Sequence, residues 1–481
     1  HRLQPPAPPF SGTRAMAKIV KNGATMEIGS GNEAMSIGAI LRRRKQMSEI
    51  QEQAHEDSGH SGAKYGFFDL VCIGVGSTVG SGCFVLTGAV LPIAGPSAVL
   101  SWAMAGAACC LSAVAYIDLS ARLPASGSCY VFSFHSLGEL AGILAALCLT
   151  LEYGVSAAGC ARSWSALFAQ LVGAESYMQL WYPGADSGDL YVDLGAGAVM
   201  LLAVALCSAG VDFGKIVING FTMAKVMLLC FFLVAGVAAT NRNVFESPEV
   251  FFPQGFGGTV QGASALFWGF VGFDEVCCLA GKAQDPAKTM PRALLTTLGI
   301  TCLVSLLSQF ALTGMTSSND ATSWPEAFET RGWIWAKIIA SVGEAILLPL
   351  IVLLAFLPQP ELFGAMAHDG VIPASFGRQD RKGTFVWGSN VTGLFCVLMA
   401  TFVPFSVIWN LVSLGVLVSF NLTSSSLIMM RYGNGGEVTQ PLVGKLVLLL
   451  WPFSAMGAYC FWLGFAQPML EGAPWCRAEL G

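Results

Sequence analysis

From Phe67 almost to the C-terminal end, apolar stretches of about 20 residues follow one another with short polar breaks between them. A bilayer core about 30 Å thick is crossed by a helix of that length, so the pattern reads as many crossings and not as one anchor. The charge content agrees: 54% of the 481 residues are hydrophobic and 11% are charged, too few charges for an ordinary soluble surface. A formal net charge of -5 argues against nucleic acid as a partner and leaves the lipid bilayer as the main environment. The fold class is therefore an all-α polytopic membrane protein.

Eleven spans are expected, near residues 67–92, 96–121, 139–169, 194–211, 213–240, 261–281, 291–315, 333–357, 385–403, 406–430 and 442–467. An odd number places the two ends of the chain on opposite sides. Arg122, Lys215, Lys282, Lys288, Arg292, Arg378, Arg381, Lys382, Arg431 and Lys445 fall on the side of the N-terminal tail, which makes that side cytoplasmic. Residues 1–63, with four prolines, the basic run Arg42–Lys45 and a polar stretch from Ser48 to Ser61, read as a disordered cytoplasmic tail. The transporter domain then runs over 64–470, and 471–481 form a C-terminal end. The chain opens on His1 and not Met, so its start reads as processed or as a fragment.

The fifteen cysteines show no repeated CxxC or Cys/His spacing, and most lie inside apolar stretches as small buried hydrophobes. No metal site is expected.

Two spans depart from regular helix. The first carries Gly74, Gly76, Gly80, Gly82 and Gly88 with Ser77, Thr78 and Ser81 among them, a glycine density that weakens a helix. The sixth repeats this at Gly269 and Gly272, followed at once by Asp274 and Glu275. Interruptions at matching places in two five-helix halves are what an inverted-repeat secondary transporter displays in its sequence. Backbone N–H groups of Gly80, Ser81 and Gly82 could hold a carboxylate. Freed carbonyls of Val79, Trp268, Gly269 and Val271 could accept from an α-ammonium. The competing reading is that the glycines serve only close helix packing.

At these residues the chain resembles the amino acid-polyamine-organocation superfamily, and within it the cationic amino acid transporters. Gly74-Val-Gly-Ser-Thr-Val-Gly-Ser-Gly-Cys-Phe-Val-Leu-Thr-Gly88 is similar to the first-helix motif, and Phe267-Trp-Gly-Phe-Val-Gly-Phe-Asp274 to the sixth. Leu151–Tyr153 with Ala161–Ser165, Pro358–Pro360 with Ala365–Gly370, and Leu414–Leu417 running to Tyr432 resemble the third, eighth and tenth helices. The resemblance implies a five-plus-five inverted-repeat (LeuT-like) fold with discontinuous helices one and six. It also implies alternating access, a midplane site between helices one, three, six, eight and ten, and no cofactor. Lys282 and Ala283 depart from it where cationic transporters carry two acids, Glu361 stands for a basic residue, and Trp268 for a phenylalanine. The chain ends after eleven spans where relatives have at least twelve.

Ionisable groups inside a membrane are functional candidates by default. They are Glu152, Arg162, Lys225, Asp274, Glu275 and Glu344. Lys225 resembles the family lysine whose ammonium stands where related transporters hold sodium, bridging to carbonyls near Ser77. Pro349, Leu350 and Ile351 occupy positions where relatives carry hydroxyls, so transport is expected to be sodium-independent. Glu152 is either a proton acceptor or a counter-ion to Arg162 or Lys225. Asp274 is grouped with them as a coupling or structural charge. Ser156 and Glu344 are side-chain pocket candidates, Glu344 alternatively sitting near the outer end of its span.

The expected activity is transport of an amino acid, foremost a cationic one such as arginine or lysine. A neutral amino acid or polyamine on the same scaffold, or a non-transporting sensor, are the alternatives. An enzyme is not expected, since no HExxH or GxSxG motif occurs. The protein would lie in the plasma membrane or an internal membrane.

Overall fold

The structure is a computed structural model that describes residues 43–51, 65–125, 127–173, 179–181, 191–209, 215–240, 247–316, 323–380, 384–432 and 441–461. Most of the tail and the C-terminal end at 471–481 lie outside the described residues.

The chain is built of helices. Helix α1 (Phe67–Ser81) runs into a π turn at Gly82–Leu86 and a short helical continuation at Thr87–Ala89. Helix α2 (Ala98–Arg122) is followed by α3 (Cys129–Ser136). Helices α4 (Glu139–Thr150) and α5 (Ser156–Val172) are one rod joined by a second π turn at Leu151–Val155. A small antiparallel hairpin, β1 (Gln179–Trp181) and β2 (Tyr191–Asp193), precedes α6 (Leu194–Ser208), with Gln179 opposite Asp193. Helices α7 (Lys215–Ala238), α8 (Gly255–Ala265), α9 (Pro286–Met315), α10 (Trp324–Thr330), α11 (Ile334–Phe356), α12 (Pro358–His368), α13 (Val386–Phe402), α14 (Phe405–Tyr432) and α15 (Pro441–Phe461) complete the bundle.

Seven of the described helical segments are long and apolar enough to cross a membrane, and three shorter apolar ones accompany them. Their outer faces are as apolar as their inner ones. Helix α11, for example, buries Ala336, Ala340, Glu344, Leu348 and Ile351 while exposing Ile338, Ile339 and Ile346. A helix apolar all round suits lipid outside and protein inside. Helix α1 sits centrally, packed against α7, α9 and α11, while α2 packs on α9 and α8, and α5 on α11.

The sixth apolar stretch is broken. Helix α8 tightens into a 3-10 turn at Leu266–Phe270, Val271 is extended, and Gly272 takes a φ of 122° before a short turn of helix at Glu275–Cys278. Gly272 needs that left-handed backbone, and a Cβ there would stand 2.8 Å from the backbone nitrogen of Thr78. The first stretch differs from the expectation of a discontinuous helix. It stays helical, and its glycine-rich centre is widened at Gly82–Leu86 in place of unwinding. A π turn frees carbonyls without leaving the helix. The Cys83 carbonyl accepts from the Trp324 indole at 2.9 Å and from the Thr87 hydroxyl at 2.8 Å, so the polar group finds partners without a break.

A second correction concerns the tail. Residues 43–51, expected to be disordered, are folded against the bundle, with residues 47–51 helical and Ile50 fully buried. Specific partners for the basic run hold them there, which composition does not reveal. Lys45 Nζ reaches the Asp369 carboxylate at 2.8 Å, Arg43 Nε reaches Glu139 at 2.9 Å, and Glu139 N donates to Arg43 O at 2.8 Å.

Candidate functional site between the first and sixth segments

The interrupted sixth segment is pressed against the widened first one. A Cβ at Gly82 would lie 2.8 Å from Gly269 O, so main chain meets main chain at this level. Gly80 and Ser81 close α1 immediately before it, and Val79 is buried. Gly80 is not open space: a Cβ there would come within 2.3 Å of Ile351 Cδ1. The glycine is thus required for packing against α11, as the competing reading of the sequence held, whatever else its N–H does.

Trp268 fills the space on the third- and tenth-segment side. Its side chain is fully buried, its Nε1 donates to Ser156 Oγ at 2.8 Å, and its ring lies 5.5 Å from that of Phe405. A Cβ at Gly159 would meet the Trp268 ring at 2.8 Å and Ile408 at 3.0 Å. Ser156 therefore positions the indole that closes this flank. Val271 N donates to Trp268 O at 3.0 Å, just before the chain turns at Gly272.

Lys225 of α7 is buried, and its Nζ donates to Gly76 O at 2.8 Å. The neighbouring Thr222 hydroxyl donates to Cys72 O at 3.1 Å, so one face of α7 ties to successive turns of α1. Glu275 lies beside Lys225 and Ser77, which brings an acid of segment six onto the same junction. Asp274 is buried and accepts from Gly272 N and from the Tyr153 hydroxyl, each at 3.4 Å. Its backbone shape and its carboxylate are set together, because the acid caps the turn that Gly272 makes.

Glu152 lies in the π turn between α4 and α5, close to Asp274 and Ser419, and neither carboxylate oxygen makes a hydrogen bond of ordinary geometry. Arg162 does not serve it: the guanidinium donates instead to Ala400 O at 2.9 Å and Thr401 O at 3.0 Å. Glu344 of α11 is also fully buried, and neither of its carboxylate oxygens has a hydrogen-bond partner among the described residues.

Sequence reasoning missed the charge cluster where α12 ends. Asp369 receives Lys45 and also the Tyr130 hydroxyl at 2.8 Å, its carbonyl accepts from Arg43 at 2.6 Å, and His135 Nδ1 lies 2.7 Å from Lys45 O. Burial alone would push the Asp369 carboxyl up, but hydrogen bonds from His368, Lys45 and Tyr130 and the Lys45 charge hold it below the ordinary aspartate value. Burial and the Asp369 charge push the Tyr130 phenol well up, which keeps it a donor. The basic run and the Ala365–Gly370 motif were both visible in the sequence; their pairing over more than 300 positions was not.

A family model described as amino acid permease matches residues 65–474. The cationic amino acid transporter 3, mitochondrial, of Arabidopsis thaliana is 30% identical over 82% of this chain and 66% of its own length. The cationic amino acid transporter 4 of Homo sapiens is 30% identical over 78% of this chain and 60% of its own. The methylthioribose transporter of Bacillus subtilis (strain 168) is 30% identical over 76% of this chain and 80% of its own. The chain thus spans about two thirds of the length of the plant relative and somewhat less of the human one.

Proposed function

As a member of the amino acid permease family and an integral membrane protein, this chain, we propose, carries an amino acid across a membrane by alternating access, with a cationic amino acid as its cargo. The observation that supports transport most directly is the break at Leu266–Asp274, seated on the widened turn of the first segment. Exposed main chain at membrane depth is tolerated only where protein or a cavity receives it. Because Gly82 lies against Gly269 O, admitting a solute at this level requires the two segments to part. Parting them leaves the N–H groups of Gly80, Ser81 and Gly82 to take a carboxylate and the carbonyls of Val79, Trp268, Gly269 and Val271 to take an α-ammonium.

Lys225 supplies a fixed cation at Gly76 O, the place of sodium in related transporters by the resemblance set out above. Pro349, Leu350 and Ile351 offer no side-chain oxygen to a metal ion. Both support sodium-independent movement. The relatives named for cationic amino acids support the cargo, and the basic loop residues on the side of the N-terminal tail support a cytoplasmic tail.

A second reading, a neutral substrate on the same scaffold, is favoured by Lys282 and Ala283 standing where cationic transporters carry acids. Uptake of radiolabelled arginine into proteoliposomes in sodium-free buffer, with leucine and putrescine as competitors, separates these. Arginine uptake blocked poorly by leucine is the expected result. Uptake that vanishes without sodium would end the sodium-independent reading, and binding without flux would make the protein a sensor.

A further inference from the structure

Helix α11 presents one buried stripe to the bundle: Ala336, Ala340, Glu344, Leu348 and Ile351. Ile351, at one end of it, is the residue that fills the space beside Gly80. Glu344 lies seven residues away on the same face, about 10 Å along the axis at 1.5 Å per residue. The neighbouring positions point elsewhere. Gly343 faces Leu228 of α7, and the carbonyl of Ala345 accepts from Trp164 Nε1 of α5 at 2.8 Å.

That last bond has a cause. Pro349 has no N–H to offer the carbonyl four residues back, so Ala345 O is released from the helix and α5 supplies the donor. The helix is therefore opened one turn from Glu344, and the released backbone group is satisfied. The Glu344 carboxyl is not. It is 0% exposed, both oxygens lack a hydrogen-bond partner, and no described charged side chain acts on it. Ionised, it would be a buried charge without compensation; neutral, its O–H would still lack an acceptor. A carboxyl with only a structural task has a partner in the resting chain, as Glu139 and Asp369 do.

We infer that Glu344 is the residue that reads the far end of the cargo, receiving the ammonium or guanidinium of a cationic amino acid whose α-carboxylate and α-ammonium lie at the Gly80–Gly82 level. Its counter-charge arrives with the substrate. A lysine or arginine side chain together with the glutamate stem spans the distance between the two levels, whereas a short neutral side chain does not reach. The inference rests on the transport reading above and adds the substrate class and the residue that selects it.

The test compares arginine with citrulline, its neutral isostere, in uptake by proteoliposomes carrying the whole chain. Wild type should favour arginine by roughly ten- to a hundredfold, the worth of a charge-assisted hydrogen bond. Glu344→Gln should bring that ratio near one while citrulline uptake persists. Glu344→Asp, which draws the carboxylate back by one methylene, should shift preference among ornithine, lysine and arginine toward the longer side chain, a readout that a packing role would not move. An arginine-to-citrulline ratio unchanged in Glu344→Gln, or a folded variant that loses both substrates alike, overturns the inference. So does a wild type that carries both equally, an outcome needing no variant at all and leaving amino acid transport intact. A wild type that moves neither arginine, citrulline nor leucine would instead sink the transport reading.

Discussion

The molecule buries charge in two places and treats it in opposite ways. Where α12 ends, Lys45, Arg43, Glu139, Asp369 and Tyr130 form a network in which each carboxylate meets a cation, and Asp369 a phenol as well. Within the bundle, Glu152 and Glu344 are just as buried, yet their carboxyl oxygens make no hydrogen bond of ordinary geometry among the described residues. The first arrangement spends its interactions on one packing of the tail segment against α3 and α12. The second leaves interactions unmet in this conformation, which makes these acids candidates for a role in the proposed transport cycle.

The largest effect should come from breaking the paired cluster. Lys45→Met leaves the Asp369 carboxylate buried with its chief counter-charge gone, and removal of one member of a buried pair costs about 3–5 kcal/mol. The thermal unfolding midpoint of the purified protein in detergent should fall accordingly, and Lys45→Met with Asp369→Leu should recover most of it. Recovery that fails would mean the pair is positional and not merely electrostatic.

Next in size is a test of the glycines. Gly80→Ala drives a methyl into Ile351, an overpacking strain of about 1–3 kcal/mol. If packing is the glycine's whole role, Gly80→Ala with Ile351→Ala should restore both stability and substrate binding. Stability restored without binding would show that the main chain at Gly80 grips the cargo.

Smaller again is a matched pair of neutral substitutions. Glu139→Gln removes a partner of Arg43, whose side chain is 45% exposed, so the loss is about 1 kcal/mol or less. Glu152→Gln removes a carboxylate near Asp274 and should leave stability unchanged or raise it. An unfolding midpoint that drops for Glu152→Gln more than for Glu139→Gln would erase the contrast between the two regions.

These contrasts also explain what could be read from the sequence. The break at Gly269–Gly272 was legible because glycine and two acids interrupt an apolar run, and no regular helix accounts for that pattern. The first segment carried an even stronger glycine pattern and did not break, because Trp324 and Thr87 satisfy the carbonyl that its π turn releases. Trp324 belongs to a loop helix far along the chain, and nothing at Gly80–Gly88 announces it. The tail failed for a related reason. Composition weighs Arg43 and Lys45 as solvated charge, while their partners Glu139 and Asp369 lie 96 and 324 positions away. Lys225 stood out as a lone lysine in an apolar helix and through its resemblance to the family lysine, and its Nζ reaches Gly76 O.

The smallest expected effect follows from protonating the paired cluster. Asp369 is held below the ordinary aspartate value, about 4, so the unfolded chain takes up its proton first as pH falls. Stability from this group is therefore present in full above that value. It declines as pH drops toward the lower folded-state value and is gone beneath it. Other carboxylates titrate in the same range, so the measurement is a difference: the unfolding midpoint of wild type against Asp369→Asn, followed from about pH 5 to about pH 3. The gap between the two curves should close with acid. A gap that stays constant would mean that the Lys45 ammonium and the Tyr130 hydroxyl hold a neutral Asp369 as well as a charged one, and the tail would then be pinned by shape and hydrogen bonding and not by charge.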